Sequence, residues 1–277
     1  MELSIPLAGG FSLTIGGQSC GPSRYPTGRL QRGLLLVHGT NDLAEEGVGF
    51  GVPILKRGAQ TIFPGGLELT CQRRGAVWEV TATFAMDFVE RLARAGGDHL
   101  RSRLLYGARD ALAVLHRRAP VLRGPLTATS NALRCACGWV TTFEKADTGA
   151  SVRVTYTVDS LNGSIGVAVD APGLAAGFSE MVIMNELGAR HFDRYRDSDG
   201  TRLVGKQIGT WDEVTAAEAS FVSQTHGVAF SLGQIQGARL YRGRELVGSR
   251  LAWSGFGYSL SPPPATVSYD VRIVRTA

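Results

Sequence analysis

Short segments in which apolar and polar residues alternate, each closed by a turn, recur through most of the chain. Residues 11–15, 78–84 and 152–158 are examples, and their β-branched and aromatic residues favour extended structure. The chain has 36 glycines among 277 residues with no fixed period, as expected if many tight turns join short strands. The pattern predicts a mostly β protein built as a large antiparallel sandwich of two packed sheets.

The same alternation, or a short apolar run, predicts further strands. A turn at 147–149 is predicted to join residues 139–143 and 152–158 in a hairpin. The remaining strands are predicted at 33–38, 48–55, 67–71, 165–169, 181–184, 219–223, 228–232, 238–241, 251–253 and 266–274.

One helical insertion is predicted at about 98–119. Asp98 is a suitable N-cap, and Pro120 stands just past the end as a stop. Apolar residues recur there at three- and four-residue steps and give the helix one apolar face. No internal repeat or low-complexity linker divides the chain, so residues 1–277 are expected to form a single domain.

Charge and hydropathy exclude several classes of partner. The net charge of +5 comes from arginines scattered along the chain, whereas nucleic-acid proteins cluster them on one face, so no nucleic acid is expected. Mild attraction to a small anionic ligand remains open. No run of 18 apolar residues and no secretory signal is present, so we expect no membrane span and a cytoplasmic location.

The cysteines do not have metal-ligand spacing. Buried, reduced thiols are the favoured interpretation, and no metal site is predicted. The four residues are Cys20, Cys71, Cys135 and Cys137.

Three motifs resemble known sites but lack an essential part. His38-Gly39 follows an apolar strand as in α/β hydrolases, yet no GxSxG elbow exists, so His38 is interpreted as a strand-end residue with a local hydrogen bond. The GxGxG run at 47–51 is followed by no helix, so no dinucleotide cofactor is predicted. An EF-hand loop around 195–206 would need a carboxylate where Lys206 stands, so 197–200 is predicted to be a polar hairpin turn.

The richest stretch of reactive side chains runs from Asn185 to Asp212. If residues 191–196 are extended, His191, Asp193 and Tyr195 share one face and offer an imidazole, a carboxylate and a phenol for acid–base work. The predicted catalytic residues are His191, Glu186, Asp193 and Tyr195. The predicted substrate-binding residues are Asn185, Arg194, Arg196, Trp211, Asp212 and Glu45.

Four of the substrate-binding residues were chosen for their chemistry. Arg194 and Arg196 would bind a carboxylate or phosphate, Trp211 is an aromatic plate on which a sugar ring can stack, and Glu45 follows a polar loop that could add a second carboxylate. A charged edge hairpin, in which aspartates and arginines pair across strands, explains the same residues without any site.

The layout of many strands with one helical insertion resembles the large two-sheet sandwiches of galactose mutarotases and some polysaccharide lyases. The resemblance implies a carbohydrate-active enzyme that acts on a sugar or uronate by acid–base chemistry without a cofactor. Epimerisation, elimination and hydrolysis are left open at this point. The alternative is a non-catalytic sandwich that binds a glycan or a protein, or that assembles as a homo-oligomer.

Overall fold

The computed structural model describes residues 2–16, 30–58, 60–94, 139–209, 211–247 and 250–276, together with single positions at 111, 115 and 129. Positions 111, 115 and 129 are helical. Within the continuous described ranges, a short helix, α1, spans Val204–Gln207, and 3-10 turns lie at Ala8–Gly10 and Leu174–Ala176.

The strands of the described residues, in chain order, are β1 Leu3–Pro6, β2 Phe11–Ile15, β3 Leu35–His38, β4 Asn41–Asp42, β5 Gly49–Arg57, β6 Gln60–Phe63, β7 Gly66–Arg74, β8 Val77–Ala85, β9 Phe88–Arg94, β10 Trp139–Lys145, β11 Ser151–Asp159, β12 Ser164–Asp170, β13 Glu180–Gly188, β14 Arg194–Asp197, β15 Gly200–Leu203, β16 Asp212–Glu213, β17 Ala219–Ser223, β18 Val228–Leu232, β19 Arg239–Val247, β20 Arg250–Leu260 and β21 Thr266–Arg275.

Two large sheets and one small sheet contain these strands. The eight-stranded sheet has the order β10-β9-β6-β5-β13-β20-β19-β16, and the nine-stranded sheet has the order β15-β14-β17-β18-β21-β12-β11-β8-β7. A four-stranded sheet, β1-β2-β3-β4, connects to the eight-stranded sheet through an antiparallel bridge between Leu34 and Phe50. The prediction of a mostly β fold with large antiparallel sheets is confirmed, and the separate small sheet was not foreseen.

The two large sheets pack face to face through alternating apolar residues. Along β11 every second side chain is buried, so that one face of the strand lines the core and the other faces outward. Aromatic rings meet across the interface: the Phe50 and Phe230 ring centroids are 5.5 Å apart, and those of Phe221 and Phe256 are 4.8 Å apart. Full burial of one such side chain contributes about 1.5–3 kcal/mol, so this core dominates the stability of the sandwich.

A buried tyrosine hydroxyl makes a hydrogen bond from one large sheet to the other. The Tyr156 hydroxyl, on β11 of the nine-stranded sheet, donates to the backbone carbonyl of Phe50 on β5 of the eight-stranded sheet at 2.9 Å. Burial raises the pKa of this hydroxyl far above its usual range, because the charged form would lose its hydration. Tyr156 therefore stays neutral and links the sheets.

The predicted hairpin between β10 and β11 is wrong. β10 pairs with β9 in the eight-stranded sheet, whereas β11 pairs with β8 and β12 in the nine-stranded sheet. The turn at 147–149 carries the chain from one sheet to the other, which alternation along the sequence alone does not reveal.

The structure describes only part of the predicted helix and one of the four cysteines. Positions 111 and 115 of the predicted helix are helical, and the rest of 98–119 lies outside the described residues. Cys71 is free but exposed, so its predicted burial is wrong: it lies on β7, the edge strand of the nine-stranded sheet, where residues 70–74 are all exposed. The other three cysteines lie outside the described residues.

In the part of the chain that the structure describes, no helix has the length and hydropathy needed to cross a bilayer.

We predict that Tyr156→Phe lowers the free energy of unfolding by about 1 kcal/mol, because it removes one buried hydrogen bond and leaves the ring in place. Urea denaturation measures the change. Tyr241→Phe is the matched control, since Tyr241 is only partly buried on β19, and it should change the value by less than about 0.5 kcal/mol. Equal effects of the two variants would contradict the role given to Tyr156.

Candidate functional site

The loop between β4 and β5 holds Glu45 in a fixed position. Arg32 is buried and donates to the carbonyls of Glu45 at 3.1 Å and Gly47 at 3.2 Å, and to the Asp42 carboxylate at 3.1 Å. Glu45 has a φ of 45°, and it is the one non-glycine residue with a positive φ among the described residues. Such backbone conformations cost about 1–3 kcal/mol and concentrate at functional sites.

The Glu45 carboxylate faces a histidine from another element. Glu45 Oε1 lies 3.4 Å from His191 Nε2 and 3.7 Å from Arg190 Nε. An ideal Cβ on Gly188 would lie 2.9 Å from Glu45 Oε2, so the glycine makes room for the carboxylate. His191 itself lies in a turn, in which the N–H groups of His191 and Phe192 donate to the Gly188 carbonyl at 3.0 and 2.9 Å.

Two more histidines extend this contact. His191 Nδ1 lies 3.0 Å from His226 Nε2, and His226 Nδ1 lies 3.1 Å from His38 Nδ1. The His38 ring stacks on Phe11, with centroids 4.3 Å apart. We call Glu45, His191, His226 and His38 the histidine cluster.

The histidine cluster lies where the three sheets meet. His38 is the last residue of β3 in the four-stranded sheet, His191 follows β13 of the eight-stranded sheet, and His226 lies in the turn between β17 and β18 of the nine-stranded sheet. The His226 N–H donates to Ser223 Oγ at 3.3 Å, which helps to fix that turn. All four side chains are partly buried, so the cluster is neither sealed in the core nor fully hydrated.

Hydrogen-bond donors and acceptors of the cluster form one consistent order. A neutral imidazole has one N–H donor and one acceptor nitrogen. If His191 Nε2–H points at the Glu45 carboxylate, His191 Nδ1 accepts from His226 Nε2–H, and His226 Nδ1 in turn accepts from His38 Nδ1–H. This assignment from the network leaves the lone pair of His38 on Nε2. The cluster therefore presents one basic nitrogen at its far end.

The central histidine is held in its neutral form. Burial lowers the pKa of His226, and the neighbouring His191 and His38 lower it further because a second positive charge beside them is unfavourable. A neutral His226 can donate to one neighbour and accept from the other, as the ordered network requires.

Among the described residues, no group of three or more His, Cys, Asp or Glu side chains is arranged to hold a metal ion.

The structure brings together only two of the predicted site residues, His191 and Glu45. The predicted common face of His191, Asp193 and Tyr195 is wrong, because residues 188–192 form a turn and β14 begins only at Arg194.

Tyr195 and its neighbours form a structural network instead. Tyr195 is fully buried beneath Arg242, whose guanidinium carbon lies 4.3 Å from the ring centroid. Asp197 binds Arg202 across the β14–β15 hairpin and Arg242 at 3.0 Å. Burial opposes the charged form of Asp197, but the hydrogen bond and charge of Arg202, together with the Asp199 N–H, hold the pKa of Asp197 below its usual value. The pairing of Asp and Arg across an edge hairpin, which the sequence offered as the alternative, is thus present here.

Asn185 and Glu186 are buried on β13. Asn185 Oδ1 accepts from the Gly51 N–H at 3.1 Å and from the Tyr269 hydroxyl at 2.9 Å. Glu186 Oε2 accepts from the Val48 N–H at 3.4 Å. Both side chains are at most 1% exposed, so neither faces solvent as a predicted site residue would.

The remaining predicted residues lie apart from the histidine cluster. Asp193 and Arg194 are partly buried at the start of β14, and Arg196 is exposed on it. Trp211 packs at 5.4 Å against the buried Trp253 ring on the eight-stranded sheet. Asp212 accepts from the Gly209 N–H at 3.1 Å.

His38, His226 and Arg32 were missed by sequence reasoning. The prediction that His38 ends a strand is correct, but its hydrogen bond is not local, since its partner His226 is 188 positions away. One signal was available: each of the two histidines directly precedes a glycine, which indicates a turn.

Comparisons with known proteins show the fold. No family model and no curated protein matches the chain. Among solved structures, all of this chain aligns with 36% of the α-N-acetylgalactosaminidase NagBb from Bifidobacterium bifidum, with a TM-score of 0.51 and 8% identity. A provisionally assigned aldose 1-epimerase from Escherichia coli K12 aligns over 99% of this chain and 100% of its own length, at a TM-score of 0.38 and 8% identity.

The chain thus spans about a third of the length of the galactosaminidase. Its fold is that of a large β sandwich found in a carbohydrate-active protein, which confirms the resemblance stated from the strand layout at the level of fold.

We predict that His226 makes stability depend on pH. Its folded pKa is lowered, so the unfolded chain binds a proton more readily. Its contribution is fully present above the unfolded pKa of about 6.5 and is lost as the pH falls from there towards the folded pKa. Urea denaturation between about pH 5 and 7.5 should therefore show a steeper loss for the wild type than for His226→Gln. Parallel pH profiles would contradict this.

Proposed function

We propose that the protein is an enzyme that moves protons on a carbohydrate, with His38 as the catalytic base. The observation that carries the proposal is the unbroken series of close contacts from Glu45 through His191 and His226 to His38. The donor order assigned to these contacts leaves the lone pair on His38 Nε2. The carbohydrate is inferred from the fold shared with part of an α-N-acetylgalactosaminidase.

The network suits a base that must accept and return one proton. When His38 Nε2 takes a proton from the substrate, the electron pair stays on the substrate and positive charge arises on the imidazole. Shifting each hydrogen-bonded proton by one step towards Glu45 moves that charge to His191, beside the carboxylate. Glu45, His191 and His226 are thus positioning residues, since they orient His38 and stabilise its charged form.

Proton abstraction fits this arrangement better than hydrolysis. Glycoside hydrolysis usually employs two carboxylates on either side of the scissile bond. The histidine cluster, as defined above, includes a single carboxylate, that of Glu45, 3.4 Å from His191 Nε2. Removing a proton and returning it to the opposite face of the same carbon, after the intermediate has turned, gives epimerisation. Removing it with loss of a leaving group gives elimination. Both reactions begin with proton removal by a base of this kind.

Proton NMR in D2O tests the function without knowledge of the product. Freshly dissolved aldoses, N-acetylhexosamines and uronates are each incubated with the full chain. Accelerated anomer interconversion, loss of a C–H signal through deuterium exchange, or a new vinylic signal would each support proton abstraction. Binding of a sugar without any of these changes would favour the alternative, a non-catalytic glycan-binding sandwich.

We predict that His38→Gln lowers kcat on the substrate so identified by about 10²–10⁴-fold, because the amide cannot accept the proton. The wild-type fold should persist, since His38 lies at a strand end and is only partly buried.

The matched control is Tyr195→Phe, which alters a residue that the sequence predicts to be catalytic but that the structure buries under Arg242. Its kcat should stay within about threefold of the wild type when circular dichroism shows it to be folded. Retention of activity in His38→Gln, or its loss in folded Tyr195→Phe, would contradict the assignment.

A further inference from the structure

A shallow pocket lies on the outer face of the nine-stranded sheet, away from the histidine cluster. Its volume is about 300 Å³, at the lower end of the range for small-molecule sites. None of its lining residues belongs to the cluster, and they are Thr157, Gly166, Val167, Ala168, Gly233, Gln234, Ser268, Tyr269 and Asp270.

The floor of the pocket exists because β12 has small residues on its outer side. Gly166 stands in register between Thr157 of β11 and Asp270 of β21. One step along, Ala168 pairs with Ser268. Larger side chains at the two small positions would fill the space, so the sequence of β12 creates the depression.

One wall of the pocket is a short loop that follows β18. The Gly233 N–H donates to the Asp270 carbonyl at 2.8 Å, and the Tyr258 hydroxyl donates to the Gly233 carbonyl. These two bonds fix the backbone of the loop against β21 and place Gln234 at the rim. The wall is therefore preformed, which lowers the entropic cost of binding a ligand.

Pocket side chains offer neutral donors and acceptors together with one carboxylate. Thr157 and Ser268 provide hydroxyls, and Gln234 provides an amide. Asp270 Oδ1 leans over the floor, 3.9 Å from an ideal Cβ on Gly166, and a carboxylate can accept from two adjacent hydroxyls at once. Among the described residues, no arginine or lysine lines the pocket, so an anionic ligand would meet the negative charge of Asp270 there.

We propose that this pocket is a second ligand site, which binds a neutral polyhydroxylated molecule of monosaccharide size. The Asp270 carboxylate accepts from a pair of vicinal hydroxyls, and the hydroxyls of Thr157 and Ser268 contact the rest of the ring. The pocket shares no residue with the histidine cluster, so its binding of a ligand does not depend on the proposed catalytic function.

Two variants test the site in the full chain. Gly166→Val fills the floor; the glycine has an ordinary strand conformation, and its ideal Cβ would meet Thr157 Cβ at a normal 3.7 Å, so the fold accommodates the change. Asp270→Asn removes the charged acceptor with almost no change in shape. Thr70→Val is the matched control, because Thr70 is exposed on β7 outside the pocket.

Saturation-transfer NMR with galactose, glucose, N-acetylgalactosamine and galacturonate is the measurement. We expect millimolar binding of a neutral sugar to the wild type and to Thr70→Val, at least tenfold weaker binding to Gly166→Val, and about tenfold weaker binding to Asp270→Asn. No transfer to any neutral sugar, unchanged affinity in folded Gly166→Val, or a preference for galacturonate would overturn the proposal.

Discussion

The buried amide of Asn185 links the two large sheets and sets the geometry that the candidate site depends on. It accepts from Gly51 on the adjacent strand and from Tyr269 in the opposite sheet, while the β13–β5 register shifts between Met184 and Glu186. Leaving such a buried group without a partner costs about 1–3 kcal/mol, so alternative registers that break these hydrogen bonds are disfavoured. The bulge redirects the end of β13.

That end of β13 leads directly to the histidine cluster. The Gly188 N–H donates to the Leu43 carbonyl at 2.9 Å, which attaches the strand end to the loop that presents Glu45. Arg32 holds the same loop from the other side. The strained backbone of Glu45 is stabilised by these contacts, and its carboxylate is therefore already in position beside His191. Preorganisation of this kind is what allows a carboxylate to select one histidine tautomer.

Sequence alone predicted the strands well and the site poorly, for a physical reason. Alternation or a short apolar run marks a strand, so Phe11–Ile15, Ala219–Ser223 and Val228–Leu232 were predicted with their observed bounds. It does not report which sheet a strand joins, and hence the hairpin across 147–149 was predicted wrongly. The histidines converge from three sheets over 188 positions, and the residues next to each histidine indicate a turn but not its distant partner. Tyr195 was predicted to be catalytic because of its neighbours in the sequence, but its ring is buried in the core.

The tautomer of His38 is the most direct test of the proposed acid–base chemistry. Long-range proton–nitrogen correlation spectra of the uniformly ¹⁵N-labelled chain distinguish a protonated from an unprotonated ring nitrogen. At neutral pH the ordered network requires a proton on Nδ1 and a lone pair on Nε2 of His38, and the Glu45→Gln variant should lose this preference. A wild-type spectrum with the proton of His38 on Nε2 would contradict the account, because the cluster would then present no base.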